Sequence, residues 1–362
     1  GNESRCSITF ADLPNDVKSG DTILLDDGLV RLTVLESTGT DIRCRVENDG
    51  IMKDRKGVNV PNVRLSMPYM SPRDREDILF GVEAGFDYVA ASFVRTAADV
   101  REIRRLLDKV DSNMGIIAKI ENQAGVDNIE EICQCCDGIM VARGDMGVEV
   151  DFEKLPGLQK KFIKECCKAG KPVITATQML ESMTTSLAPT RAEITDVANA
   201  VFDGTSAVML SGESAAGQYP VETVATMAKI VRQAEEDAEA VNQYKFLEVE
   251  SDEKDVSNAM GHAACTTARD IKASAIIAVT TSGYTAEMMA KYKPNTPIIA
   301  ATPREKTYHQ QALTRGVYPV HTRLSDSIDK LMTEAEDGAK RMKFVSEGDL
   351  VVISAGMPLN VS

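Results

Sequence analysis

Histidine is scarce in this sequence: there are three in 362 residues, at 262, 309 and 321. No hydroxyl or thiol in the first two thirds has a histidine near it in sequence, which disfavours a Ser-His-Asp hydrolase. Long apolar runs are absent too, none approaching the roughly 18 to 20 residues of a membrane helix. The start, Gly1-Asn-Glu-Ser-Arg5, lacks the charged and apolar regions of a signal peptide. Together these point to a soluble, cytoplasmic protein without a membrane partner. Positive charge is in deficit, with 41 Lys+Arg against 55 Asp+Glu and a net charge of −14, so non-specific nucleic-acid binding is not expected. An anionic ligand must then meet local cations, a metal ion or backbone amides. No Gly-x-x-x-x-Gly-Lys-Ser/Thr loop occurs. Cys133-Gln-Cys-Cys136 has no second pair at zinc-site spacing, and the adjacent Cys135-Cys136 and Cys166-Cys167 suit reduced, buried thiols better than a disulfide framework. No internal repeat or low-complexity tract is found. The missing initiator Met and the end at Val361-Ser362, straight after a strand-like Leu350 to Ser354, suggest a fragment.

The length exceeds one compact core and predicts two or three domains. Apolar residues at 43% and charged residues at 27% are ordinary globular usage. The periodicity changes twice. Residues 1–62 read as a small β module, with Asp26-Asp27-Gly28 as a hairpin signal between Asp21–Leu25 and Leu29–Leu35. Residues 63–243 alternate short apolar β runs with amphipathic helices, the signature of a parallel sheet covered by helices. The runs are 88–94, 115–121, 138–145, 172–177 and 207–211, and each carries polar residues at its C-terminal end, the catalytic end of a (β/α)8 barrel. Five strands are visible where a closed barrel needs eight, so the missing ones would precede residue 1. Residues 255–362 alternate again and form a separate doubly wound α/β domain. The acidic stretch Gln233–Lys254 between them reads as a helix end and linker.

Among the strand ends, Lys119 and Glu121 lie two residues apart and point to one side. They could be an ion pair plugging the barrel top. Asp145 at the next strand end supplies a second carboxylate, and two carboxylates with room for water and substrate oxygens suit Mg2+. A divalent metal beside a lysine reads as phosphoryl or enolate chemistry. The segment Ala142-Arg143-Gly144-Asp145-Met146-Gly147 allows backbone amides to converge on an anion, although a plain tight turn would look the same. Ser92, Thr177 and Ser211 end other strands; each hydroxyl could equally be a cap or a backbone hydrogen bond.

Lys119-Ile-Glu-Asn122, Asp137-Gly-Ile-Met-Val-Ala-Arg-Gly-Asp145, Lys171 to Met183, Pro189-Thr-Arg-Ala-Glu193 and Met209-Leu-Ser-Gly-Glu213 resemble, in order and spacing, the signature blocks of the pyruvate kinase family. The resemblance implies a TIM barrel, an inserted small β-barrel lid formed by residues 1–62, and a C-terminal three-layer α/β regulatory domain. It implies Mg2+- or Mn2+-dependent phosphoryl transfer from phosphoenolpyruvate to ADP, giving pyruvate and ATP. It makes Lys119 the catalytic lysine, Glu121 and Asp145 the metal ligands, and Thr177 and Ser211 contributors to substrate binding and proton delivery. Ser92, Ala142, Arg143, Gly144, Asp145 and Thr177 become the phosphoenolpyruvate site, and Lys56 a nucleotide contact. Arg191 is placed at the subunit interface of a homotetramer. The loop Thr280, Thr281, Ser282, Gly283 to Thr285 resembles the site for a phosphorylated effector, AMP or a sugar phosphate, although it could be an ordinary strand-to-helix turn. K+ is also implied, with ligands outside this sequence. Two readings stand beside this one: a metal-dependent aldolase or lyase, and an inactive fragment that keeps an effector-binding module.

Overall fold

A computed structural model describes residues 4–240, 255–323 and 327–355. The first module is an antiparallel sheet of β1 (Thr22–Leu25), β2 (Val30–Ser37), β3 (Ile42–Val46) and β4 (Val58–Asn59), in the order β3-β2-β1-β4. The hairpin joining β1 to β2 turns at Asp26, Asp27 and Gly28, all at positive φ (51°, 56° and 86°). Asp and Gly tolerate that backbone well, which is why the turn is legible in sequence. One face of this sheet buries Ile23, Leu25, Val30 and Val34.

The second sheet is wholly parallel: β5 (Tyr88–Ala91), β6 (Gly115–Ile120), β7 (Gly138–Ala142), β8 (Val173–Ala176) and β9 (Ala207–Met209), in sequential order. Neighbours that follow the chain order, each reached through helical crossovers, make the wall of a (β/α) barrel; a doubly wound sheet would reverse direction partway. The helix Ala97–Asp108 shows how the pattern works. A capping box of Thr96 and Asp99 starts it, and Val100, Ile103 and Leu107 bury its inner face, each contributing roughly 1.5–3 kcal/mol relative to exposure. The expected strand 138–145 stops at Ala142, and Arg143 already opens the helix Arg143–Glu149. That break places Asp145 one helical turn beyond the sheet.

The third sheet is parallel, with β10 (Ala275–Val279), β11 (Ile298–Thr302), β12 (Val317–His321) and β13 (Val351–Ala355) in the order β12-β11-β10-β13. Separate cores cover its two faces, one including Ile276 and Ile298, the other Ile277 and Ile299. Alternating neighbours on a strand point to opposite faces, so the three-layer arrangement follows from the sequence. The helix Glu305–Gln311 docks this sheet on the barrel: Gln310 Nε2 donates to Asp87 O at 3.2 Å and Asn113 O at 3.0 Å, and Lys306 pairs with Asp87 at 3.3 Å. Of the acidic stretch, the part through Ala240 ends the helix Pro220–Ala240; residues 241–254 lie outside the described residues, as do 324–326 at the start of the last expected helix and 356–362.

Gly138 opens β7 at a crowded point. A Cβ there would meet Ile117 Cδ1 at 2.7 Å and Pro172 O at 3.0 Å, and that carbonyl accepts the ladder bond from Ile139 N at 3.0 Å. Gly138→Ala is therefore expected to destabilise the barrel by about 1–3 kcal/mol, read as a lower denaturant midpoint with an unchanged slope.

Candidate active site

The C-terminal ends of β5 to β9 assemble the side chains singled out in the sequence. Lys119 is next to last on β6; its Nζ donates to Ser92 Oγ at 2.8 Å and lies 2.7 Å from Glu121 Oε1. Glu121 is fully buried, and its Oε2 accepts from Phe93 N at 2.6 Å. Its Oε1 makes an ion pair with Lys119 whose geometry falls short of a hydrogen bond. Burial pushes the Glu121 carboxyl up and the charge of Asp145 adds to this, while Lys119 and the Phe93 amide pull the other way. Two carboxylates near enough to sense each other, with a buried acceptor oxygen lacking a hydrogen bond, fit a hard divalent cation. Among the described residues no group of three or more His, Cys, Asp or Glu converges on one point. A metal here would thus be held by these two carboxylates and complete its shell from substrate and water.

Thr177 follows β8 in the left-handed region, with φ 71°, and Gln178 follows it at 53°. For a β-branched residue this costs on the order of 1–3 kcal/mol. The turn is held from three directions. Thr177 Oγ1 donates to Ala176 O at 2.6 Å and accepts from Gly144 N at 2.7 Å. Arg143 adds bonds to Ala176 O at 3.2 Å and Thr177 O at 2.7 Å. The Arg143 guanidinium is turned inward, pairing with Asp196 Oδ1 at 2.7 Å. A Cβ on Gly144 would meet Thr177 first, at 3.5 Å, an ordinary van der Waals contact, so packing does not demand this glycine.

Ser211 sits half-buried after β9. Its amide donates to Glu213 Oε2 at 2.7 Å, and Glu213 Oε1 accepts from Leu180 N at 3.2 Å. This fully buried carboxylate ties the loops after β8 and β9 together. Glu213 had no expected role, although a carboxylate two residues past the end of the apolar run 207–211 is a signal that could have marked it. Lys56 belongs to the first module, where it pairs with Asp26 at 2.8 Å. That module reaches the barrel through Asn59 Nδ2, which donates to Glu149 Oε1 at 2.7 Å on the helix carrying Asp145.

A model described as the pyruvate kinase barrel domain matches residues 1–224, and one described as the pyruvate kinase alpha/beta domain matches residues 258–362. The chain belongs to the pyruvate kinase family. Among similar proteins, a pyruvate kinase of Clostridium acetobutylicum is 49% identical over 365 residues, covering all of this chain and 76% of that protein. One of Sporosarcina psychrophila is 48% identical over 367 residues, covering 99% of this chain and 62% of that protein. The crystal structure of a pyruvate kinase from Cryptosporidium parvum superimposes with a TM-score of 0.91 at 37% identity, over 96% of this chain and 73% of that one. Family membership makes the chain a phosphotransferase by kind, with phosphoenolpyruvate, ADP and metal ions as the family's general requirements. Among the described residues no helix is long and apolar enough to cross a membrane.

Outside the barrel mouth, Thr280 Oγ1 accepts from Gly283 N at 2.9 Å, and Ser282 Oγ accepts from Tyr284 N at 3.4 Å. Thr280 is thereby buried in the turn, while Ser282 is exposed. Arg191 is exposed at the first position of the helix Arg191–Asp203, and Leu187, Ile194, Val221 and Val224 are exposed on this helix, the preceding loop and the helix Pro220–Ala240 that packs on it.

Proposed function

We propose that this site transfers the phosphoryl group of phosphoenolpyruvate to ADP, giving pyruvate and ATP in the last step of glycolysis. The observation that carries the reading is Lys119 held between Ser92 and the buried Glu121 at the mouth of a parallel barrel wall, where the charge of Asp145 is felt at Glu121. Fixed charge there favours a reaction in which negative charge moves and no covalent bond to the protein is needed. Glu121 and Asp145 would hold Mg2+ or Mn2+, which supplies charge neutralisation and orientation for the phosphate and carboxylate oxygens when bound. Lys119 offsets charge on the phosphoryl group in flight and on the enolate left behind. Ala142, Gly144 and Thr177 line the substrate's anionic end. Thr177 and Ser211 serve the proton that converts the enolate to pyruvate, and Lys56 contacts the nucleotide from the lid.

The domain boundaries we assign are 1–62 for the lid, 63–243 for the barrel and 255–362 for the regulatory domain. The exposed apolar residues around Arg191 support a homotetramer, and the hydroxyl-rich loop at 280–285 supports a phosphorylated effector, AMP or a sugar phosphate. K+ serves the same centre through ligands outside this sequence, and the setting is the cytoplasm.

The test is pyruvate formation by the full-length protein with Mg2+, with and without ADP. Formation that requires ADP supports the kinase reading; pyruvate appearing at the same rate without ADP would assign the site to a lyase.

A further inference from the structure

All five N–H donors of the Arg143 guanidinium have protein partners. Nε donates to Ala176 O at 3.2 Å. Nη1 donates to Asp196 Oδ1 at 2.7 Å and lies 3.4 Å from Gln159 Oε1. Nη2 donates to Thr177 O at 2.7 Å and contacts Met179 Sδ at 2.7 Å. None is left over for a substrate oxygen, and the side chain is only 13% exposed. Two of these bonds grip the carbonyls of the successive peptides that flank the Thr177 Cα, Ala176 O and Thr177 O, where Thr177 and Gln178 both take up left-handed backbone. Of the other three contacts, two run to Gln159 and Asp196 on the helices Leu155–Ala169 and Arg191–Asp203, and one to Met179 in the loop after β8.

We propose that Arg143 is a positioning residue for the phosphoryl-transfer site: anchored by Asp196, it latches the strained Thr177–Gln178 turn and so sets the Thr177 hydroxyl against the Gly144 amide. The inference rests on the role given to Thr177 above. The planar fork is essential, because two carbonyls and a carboxylate lie around one guanidinium. A lysine presents a single point charge and cannot reach all three. Asp196 matters in the same way, since without its carboxylate the fork is free to rotate off the turn.

A substrate ligand and a positioning residue are told apart by a double-mutant cycle in the full-length protein, measuring kcat and KM for phosphoenolpyruvate and for ADP. Arg143→Lys is expected to lower kcat on the order of 10- to 100-fold with KM for ADP unchanged, a loss typical of misplacing a reacting group. Asp196→Asn is expected to act in the same direction and more weakly, and it keeps the test open should Arg143→Lys fold poorly by circular dichroism. In a Thr177→Ala background Arg143→Lys should cost little more, the double variant staying within about threefold of Thr177→Ala alone. Losses that multiply would show that Arg143 acts independently of Thr177 and would overturn the inference, as would an Arg143→Lys variant as active as the parent. A Thr177→Ala variant with full activity would instead overturn the role of Thr177 itself.

Discussion

Lys119→Met is expected to leave the full-length protein folded while slowing pyruvate formation from phosphoenolpyruvate and ADP on the order of 10³-fold. Methionine matches the aliphatic stem of lysine, so packing against β5 and β7 survives. What goes is the cation beside Glu121 and Ser92. In a site that excludes water a fixed charge is worth far more to a moving negative charge than it would be in solvent, which is why the loss is large. The same change has a signature in stability. Glu121, already pushed up by burial, loses its cation and titrates higher still. A carboxyl whose folded value lies above its unfolded value binds its proton more tightly in the folded state, so stability drops as pH rises past the unfolded value near 4.3. The thermal midpoint of Lys119→Met should therefore fall further below that of the parent at about pH 8 than at about pH 5. Parent-like turnover in this variant would remove Lys119 from the mechanism.

Glu121→Gln should be nearly as damaging, for a different reason. The carboxylate accepts from Phe93 N on one oxygen and faces Lys119 with the other. An amide of the same shape offers one acceptor and one donor group. With its oxygen toward Phe93 N, its NH2 confronts the ammonium; turned over, it sets NH2 against a backbone N–H. Either way one contact becomes repulsive, and the negative charge that would bind the metal is gone. We expect kcat to fall at least about 10²-fold and the Mg2+ concentration needed for half-maximal rate to rise about 10-fold or more. Steady-state rates over a Mg2+ titration read both. A variant with an unchanged Mg2+ requirement would move the metal away from Glu121.

Much of this was visible in the sequence because it follows from periodicity. Apolar runs of four to six residues with a polar residue at the end place Ser92, Lys119 and Thr177 at one rim, since parallel strands all end on the same side. The Asp26-Asp27-Gly28 turn was legible because only a few residue types favour positive φ. Thr177 and Gln178 adopt the same backbone with none of those residue types, so no local signal could announce it; tertiary bonds impose that conformation. Arg143 gave no sign of its side-chain direction for a related reason. It stands at a strand-to-helix junction, where a side chain can face either the barrel mouth or the helix layer, and only the positions of Asp196 and the Ala176 carbonyl decide between them. The strands of the C-terminal α/β domain were each found near their expected places, but the insertion of β13 beside β10 is a crossover that spacing alone does not fix.

Direct transfer of one phosphoryl group from phosphoenolpyruvate to ADP at Lys119, Glu121 and Asp145 requires that the phosphorus never be released to water. Its most direct test follows the phosphorus of phosphoenolpyruvate by 31P NMR while the full-length protein turns over with ADP and Mg2+. The signal is expected to pass to the γ-phosphate of ATP, one for each pyruvate formed, without accumulation of inorganic phosphate. Pyruvate accompanied by inorganic phosphate in place of ATP would contradict it.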